Sequence, residues 1–175
     1  LRNANDKLKD LAYYDPLTGL RNRFTLENDL EFLLKNYKEN NISFSALVFD
    51  IDFFKNINDT YGHDLGDLVL TEISKLFIKS FRENDKIYRT GGEEFVIILP
   101  DCNLSDAANW AEKLRIKIEQ MEFISEHGPV SFHITVSMGI ASTTQDSWKL
   151  AQVLGRADVA LYNAKQSEIG RASCR

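Results

Sequence analysis

The chain contains 175 residues, of which 21 are Lys or Arg and 26 are Asp or Glu, so its formal net charge is −5. With 43% hydrophobic residues, it can bury the core of one globular domain, which argues against disorder. The acidic balance argues against a nucleic-acid partner. No run of about 20 apolar residues predicts a membrane-spanning helix, so we expect no membrane contact by this chain. Two cysteines cannot build a disulfide framework, which favours a reducing compartment.

The first predicted elements are a helix end, a turn and a second helix. Residues 1–14 are interpreted as the end of a longer signalling helix, because apolar residues occur at helical spacing. These residues are Leu1, Ala4, Leu8 and Leu11. Asp15-Pro16 and Gly19 are typical of a turn. A helix is predicted from about Arg23 to Tyr37, with one apolar face formed by Phe24, Leu26, Leu30, Leu33 and Leu34.

A buried strand follows, then a loop and another helix. Residues 42–49 alternate and then become fully apolar, which predicts a strand that enters the core and ends at Asp50. We interpret residues 53–67 as a loop. A helix is predicted to begin at Asp67, with inward-facing side chains at Leu68, Ile73, Leu76 and Phe77.

The next elements predict a hairpin and an α/β (α+β) fold. Two strand-like runs, Lys86 to Thr90 and Glu93 to Leu99, are joined by Gly91-Gly92, which is typical of a two-residue hairpin turn. The remaining predicted elements are a helix, a strand and a last helix, over residues 104–120, 130–140 and 148–165. This order favours a sheet with an antiparallel element over a doubly wound parallel sheet. Residues 167–175 are interpreted as an irregular tail, with vector-derived sequence as one explanation.

Carboxylates stand at the ends of two apolar strands, where a buried core disfavours them. Asp50 and Asp52 close the first strand, and Glu93 and Glu94 follow Gly91-Gly92. Adjacent carboxylates repel each other unless a cation or a proton lies between them. If the two strands are neighbours, Asp50 and Glu93 converge, and such an all-oxygen cluster suits Mg²⁺ together with substrate phosphates. The alternative is that these acids only cap turns.

The segment after Asp52 offers groups that bind phosphate and a nucleobase. Backbone N–H groups in such a segment can hold phosphate oxygens, and Lys55 adds a point charge. Asn58 and Asp67 offer polar groups for a base edge. A carboxylate favours guanine, which presents two N–H donors, over adenine. His63 by itself is more typical of a structural hydrogen bond.

The motifs taken together resemble those of GGDEF domains, the diguanylate cyclases. Gly91-Gly92-Glu93-Glu94-Phe95 is similar to the family's hallmark in its Glu-Glu variant. Six further motifs match in the same order: Asp15–Arg23, Phe49–Asp59, Gly62–Asp67, Arg89–Gly92, Val136–Ile140 and Ala157–Lys165. The resemblance assigns residues 15–166 to one GGDEF domain.

The resemblance implies a fold and a reaction. The expected fold is a five-stranded, mainly antiparallel sheet flanked by helices, as in nucleotide cyclases and polymerase palms. The expected reaction condenses two GTP into cyclic di-GMP and two pyrophosphates, in a homodimer with one GTP per protomer. Two Mg²⁺ per active site are implied, with Mn²⁺ as the alternative. A bacterial cytoplasmic location is implied as well, with membrane tethering of the full-length protein left open.

The resemblance also implies roles for single residues. The expected metal ligands are oxygen donors: Asp50, the carbonyl of Ile51 and Glu93. The expected substrate-binding residues surround the guanine or the phosphates: Phe53, Phe54, Asn58, His63, Asp67 and Lys165. Lys55 is expected to stabilise the negative charge of the transition state. The acceptor of the 3′-hydroxyl proton stays open between Glu93, Glu94 and activation by the metal alone.

A second nucleotide site is implied upstream of the hairpin. The Arg82-x-x-Asp85 pattern, with five residues before Gly91, resembles the family's inhibitory site for cyclic di-GMP. Arg offers a planar fork to phosphate or guanine, and Asp accepts from guanine N–H groups. The alternative is an exposed loop after a helix. The family usually has two residues between Lys165 and a Gly-Arg-Asn motif, whereas four precede Gly170 here, so Arg171 is assigned no role.

Two other functions stay open. The first is a GGDEF domain that senses GTP or cyclic di-GMP without turnover, and the second is a cyclase that also accepts ATP. Degenerate sensors usually lose acids that are present here, which favours an active enzyme. Asp67 favours guanine over adenine. The two tryptophans, Trp110 and Trp148, are interpreted as helix-packing residues.

Overall fold

The computed structural model describes residues 11–124, 131–143, 150–167 and 172–174. The helices of this part are α1 (Arg23–Glu39), α2 (Phe54–Tyr61), α3 (His63–Ser80), α4 (Leu104–Glu119) and α5 (Leu150–Ser167). The strands are β1 (Arg21–Asn22), β2 (Phe44–Ile51), β3 (Lys86–Arg89), β4 (Glu94–Pro100), β5 (Phe123–Ile124), β6 (Ser131–Phe132), β7 (Val136–Ser142) and β8 (Ala172–Cys174). The helix predicted over residues 1–14 lies mostly outside these ranges, and residues 11–13 are helical.

Six strands form one mixed sheet in the order β1-β3-β4-β2-β7-β8, and β5 pairs with β6 separately. The three central pairings are antiparallel, whereas β1 with β3 and β7 with β8 are parallel. The α/β class with a mainly antiparallel sheet is therefore confirmed. The short edge strands, of two and three residues, raise the strand number above the expected five. The prediction of an irregular tail is wrong for residues 172–174, which form a strand that pairs with β7.

Both faces of the sheet are buried, because side chains along each strand alternate between them. Leu47 and Phe49 of β2 join one core, which α3 and α4 complete. Ala46 and Val48 join a second core, which is covered by α1 and α5. With helices on both faces, the polar groups of the central strands gather where those strands end.

The segment predicted as a loop over residues 53–67 is helical instead, so that prediction is wrong. It contains all of α2 and the start of α3, and the two helices meet at Gly62. Gly62 has φ +89°, a left-handed value that glycine adopts readily. Leu68, predicted to face inward, faces outward instead, and Val69 and Leu70 are buried beside Ile73 and Phe77.

Two other predictions need smaller corrections. In α1, Phe24 is exposed and does not belong to the buried face. The strand predicted over residues 130–140 is divided into β6 and β7. The last helix begins at Leu150 in the described chain, and Trp148 lies outside the described residues. None of the described helices is long and apolar enough to cross a bilayer.

The predicted hairpin of β3 and β4 is confirmed, but its two-glycine turn is wrong. Residues 90–93 form the connection, and the Thr90 N–H donates to the Glu94 carbonyl at 3.0 Å. Neither Gly91 nor Gly92 has a left-handed φ, which a two-residue type I′ turn requires. The longer connection places the glutamates beside the end of β2.

Candidate active site

Acidic side chains gather where β2 ends between β4 and β7. Asp50 lies opposite Glu94 on β4 and opposite Ser137 on β7. The Asp50 side chain is only 12% exposed, and its Oδ1 lies 2.6 Å from Nζ of Lys165 on α5. The sequence predicted Lys165 as a phosphate ligand, and its contact with Asp50 adds a link between α5 and the acidic end of β2.

The electrostatics of this end favour a cation. Burial raises the pKa of the Asp50 carboxyl above its ordinary value, and the Lys165 ammonium opposes that shift. The charges of Glu94 and Asp52 raise the pKa further. A divalent cation beside Asp50 would offset this like-charge repulsion, because metal ions are often the largest local charges in a site.

The two glutamates of the hairpin have different surroundings. The register places Glu94, rather than Glu93, opposite Asp50. A Cβ on Gly91 would lie 2.6 Å from Oε2 of Glu94, so the Glu94 side chain folds back over this glycine. Glu93 reaches the end of β2 through its backbone, because its carbonyl lies 3.4 Å from the Ile51 N–H. The metal and proton-transfer roles of both glutamates stay predictions.

The donor set at this end fits Mg²⁺. Carboxylate and carbonyl oxygens are available from Asp50, Ile51 and the two glutamates, and oxygen is the donor that Mg²⁺ prefers. Within the described residues, no group of three or more His, Cys, Asp or Glu side chains could hold a metal. One or two carboxylates completed by substrate phosphates and water is the arrangement usual for Mg²⁺.

Asp52 is held by two hydroxyl groups that the sequence analysis did not single out. Ser137 Oγ donates to Oδ1 at 2.7 Å, and Thr135 Oγ1 donates to Oδ2 at 2.8 Å. The Asp52 N–H also donates to the Thr135 carbonyl at 3.0 Å. Ser137 lies within a motif used only for the family resemblance. The sequence feature that could have identified Ser137 is a hydroxyl side chain within the apolar strand β7.

The start of α2 presents backbone donors beside these acids. Phe53 precedes the helix in a left-handed conformation, with φ +56°, and no side chain caps the helix. Helix N-termini have unpaired N–H groups and a partial positive charge. Phe54 is buried, whereas Lys55 is exposed. Phe53, Phe54 and Lys55 therefore share one uncapped helix start, whereas Lys165, also predicted to contact the phosphates, lies on α5.

The predicted guanine-binding residues lie where α2 meets α3. Asn58 of α2 approaches Gly66 of α3 so closely that a Cβ on Gly66 would lie 2.0 Å from Asn58 Oδ1. Asp67, the next residue, is exposed, as is His63 at the first position of α3. The structure thus brings Asn58 and Asp67 to one helix junction, and their contact with a base stays a prediction.

Arg89 joins the hairpin to the turn before α1. Its Nη1 donates to Asp15 Oδ1 at 2.8 Å, and its Nη2 donates to the Gly92 carbonyl at 2.8 Å. The predicted turn at Asp15 is confirmed, with a Gly19 N–H to Asp15 carbonyl bond of 2.8 Å. Burial alone would raise the pKa of Asp15, but hydrogen bonds from Thr18 and Arg89 lower it below its ordinary value.

The predicted inhibitory residues line a cavity at the end of the hairpin opposite its turn, where β3 begins and β4 ends. A space of about 310 Å³ lies beside Arg82, Asp85 and Lys113. The Arg82 backbone N–H donates to Asp85 Oδ2 at 2.7 Å. Trp110 stacks on Phe81, with ring centroids 5.7 Å apart, as expected of a packing residue, and both rings also line this cavity.

Comparison with known proteins identifies relatives over almost the whole chain. The profile of the family described as "Diguanylate cyclase, GGDEF domain" matches residues 12–171. The response regulator PleD of Caulobacter vibrioides is 42% identical over 167 residues, which cover 95% of this chain and 37% of PleD. Diguanylate cyclase A of Treponema denticola is 35% identical over 172 residues, which cover 97% of this chain and 46% of that protein. The chain spans less than half the length of these relatives.

The solved structures agree with the sequence relatives. The GGDEF domain of DgcB from Caulobacter crescentus, crystallised in complex with c-di-GMP, matches this fold with a TM-score of 0.89. It is 30% identical in sequence, and the match covers 93% of this chain and 95% of that one. Family profile, relatives and fold lead to one conclusion: the chain belongs to the GGDEF family.

Proposed function

We propose that this chain condenses two GTP molecules into cyclic di-GMP and two pyrophosphates. The observation that carries the proposal is the meeting of Asp50 with the Glu93-Glu94 turn at one end of the sheet, in a member of the GGDEF family. The relatives named diguanylate cyclases support it. The pairing of buried acids with an uncapped helix start suits a nucleoside triphosphate and its cation.

Each group at this end has a part in positioning GTP. The N–H groups at the start of α2, together with Lys55, hold the terminal phosphates. Asn58 and Asp67 select guanine, with His63 beside them. Asp50, the Ile51 carbonyl and Glu93 would hold Mg²⁺ or Mn²⁺, since diguanylate cyclases of this family generally depend on divalent metals. The metal ions would neutralise phosphate charge and lower the pKa of the 3′-hydroxyl.

The reaction requires two protomers, because each half-site holds one GTP. The 3′-oxygen of each GTP attacks the α-phosphorus of the other, and the two bonds from those phosphorus atoms to pyrophosphate break. The 3′-hydroxyl proton passes to Glu93, to Glu94 or to solvent. Lys55 and Lys165 stabilise the negative charge, since phosphoryl transfer relies on positioning and charge neutralisation. A homodimer in the bacterial cytoplasm is the setting that we propose.

The Arg82 cavity is proposed as the site of product inhibition. It contains a fork-shaped cation, a carboxylate and aromatic walls, which are the groups that recognise phosphate and guanine. Cyclic di-GMP bound here, where the chain enters β3, would restrain the hairpin whose turn carries Glu93. The complex of the DgcB domain with c-di-GMP shows that a similar domain binds this product.

Incubation with GTP and Mg²⁺, followed by chromatographic separation of the nucleotides, tests this proposal. We expect cyclic di-GMP and pyrophosphate, with specific activity that rises with protein concentration as protomers pair. GTP bound without product at any protein concentration would favour a sensor instead. Products that contain adenine, when ATP is included, would favour the relaxed cyclase. The Glu93→Ala variant is the negative control.

A further inference from the structure

Two energetically unfavourable features follow one another at the end of β2. Asp52 is 7% exposed, and within the described chain no Lys, Arg or His forms an ion pair with it. Burying a carboxylate without a cation is costly. The next residue, Phe53, has a left-handed φ of +56°, which disfavours a bulky side chain. Such features persist where the surrounding structure holds them for function.

The contacts around these residues explain what holds them. On one side, Ser137 and Thr135 donate to separate oxygens of Asp52. On the other side, the Phe53 carbonyl accepts from the N–H groups of Asn56 and Ile57 at 2.8 and 3.3 Å. The link between β2 and α2 is therefore fixed at both ends, by β7 and by the first turn of the helix.

We propose that Asp52, Thr135 and Ser137 form a positioning clamp for the catalytic end of β2. Through its two hydroxyl contacts, Asp52 sets the direction in which the chain leaves the sheet. That direction aims the Ile51 carbonyl and the N–H groups at the start of α2. The inference rests on the proposed function, since it concerns how that site is held.

The clamp also separates the tasks of two acids that are two residues apart. Both oxygens of Asp52 are engaged by hydroxyl donors. Asp50 has a single described partner, Lys165, whose contact is with Oδ1, so Oδ2 has no described partner. Asp50 is therefore the acid available to a cation, and Asp52 acts through the backbone that it holds. Asp52 is a positioning residue in this assignment.

A matched pair of serines tests the clamp. Ser137 and Ser45 are both fully buried in the same sheet. Ser45 binds the Cys102 carbonyl and Ser142 instead of the site. We expect similar losses in melting temperature for Ser137→Ala and Ser45→Ala. Only Ser137→Ala should weaken Mn²⁺ binding, measured by electron paramagnetic resonance without nucleotide, and raise KM for GTP, each by about tenfold, as outer-shell losses typically do.

A second pair separates positioning from direct ligation. Ser and Thr hydroxyls donate and accept, so Asp52→Asn keeps both contacts, whereas Asp52→Ala loses them. We expect Mn²⁺ affinity of Asp52→Asn within about threefold of wild type, and a loss of about tenfold or more for Asp52→Ala. If Asp52→Asn loses as much as Asp52→Ala, Asp52 is a ligand and the clamp is wrong.

The outcomes distinguish this inference from the proposed function. If Ser137→Ala and Ser45→Ala have the same Mn²⁺ affinity and the same KM, the clamp is refuted while wild-type synthesis of cyclic di-GMP stands. If wild-type protein binds Mn²⁺ and makes no cyclic di-GMP, the proposed function fails. The Mn²⁺ titrations of the four variants then still decide whether the clamp holds the end of β2.

Discussion

The two candidate nucleotide sites lie at opposite ends of one hairpin, and their charge patterns differ. At the end of β2, Asp50 pairs with one ammonium, that of Lys165, and lies near enough to Glu94 and Asp52 for their charges to raise its pKa. The Arg82 cavity is lined by two cations, Arg82 and Lys113, and by three carboxylates, Asp85, Asp101 and Asp106. The first site has one paired ammonium for three carboxylates and needs a further cation to balance them, whereas the second has two cations for three carboxylates. A site of the first kind depends on its metal, and a site of the second kind is suited to binding a ligand directly.

The largest expected effect comes from removing a proposed metal ligand. Glu93→Ala should abolish synthesis of cyclic di-GMP, with a loss of about 1000-fold or more, because metal-held charge stabilisation is lost. Asp50→Ala should do the same and also weaken Mn²⁺ binding. Measurement of cyclic di-GMP by chromatography checks both variants. Near wild-type turnover of Glu93→Ala would contradict its assignment.

Removing the Arg82 guanidinium should weaken inhibition by cyclic di-GMP without changing the rate of its synthesis. We expect Arg82→Ala to raise the concentration of cyclic di-GMP needed for half-inhibition by about 30-fold, the value of one charged hydrogen-bonding partner. The initial rate without product should stay the same. Arg115→Ala is the matched control, because Arg115 lies on α4 in ion pairs with Glu112 and Glu119. Equal inhibition of the Arg82 variant and wild type would show that cyclic di-GMP does not inhibit through the Arg82 cavity.

A smaller effect is expected where α2 meets α3. The Cβ of Gly66→Ala would displace the Asn58 side chain, so KM for GTP should rise about tenfold as one base contact is lost. A modest loss of melting temperature is expected as well, because this Cβ would also lie 3.3 Å from Cζ of the buried Phe54. Gly155→Ala in α5 is the control, since a Cβ there has open space. An unchanged KM for Gly66→Ala would show that Asn58 does not contribute to guanine recognition.

The smallest effect concerns the link that holds the hairpin from outside the site. The pKa of Asp15 is lowered in the folded chain, so its stabilisation is present above the ordinary value of 3.8 and is lost as pH falls through the folded value. Asp15→Asn should cost about 1 kcal/mol, or about 3 °C, at neutral pH. Thermal melts from pH 7 to pH 3 should show this gap closing. A gap of constant size would mean that the charge of Asp15 does not matter.

Patterning alone predicted the central elements well. The helices α1 and α4, the strand β2 and the hairpin were all expected, because their apolar residues repeat with the period of the element. The helices between Phe53 and Asp67 were not expected, since the Asn, Asp, Gly and Thr residues of this segment are typical of loops. Burial of Phe54, Ile57 and Leu65 makes it helical. The edge strands β1 and β8 are too short to show any period.

What the sequence by itself determined was the family and the acidic ends of two strands. Both follow from residues that are close together in the sequence, so the spacing of the motifs is enough to identify them. Only the tertiary structure decided which groups meet. The register placed Glu94 opposite Asp50, and β7 brought Ser137 to Asp52 from 85 residues away. Strand pairing sets such contacts, and a shift of one residue would turn every side chain to the other face.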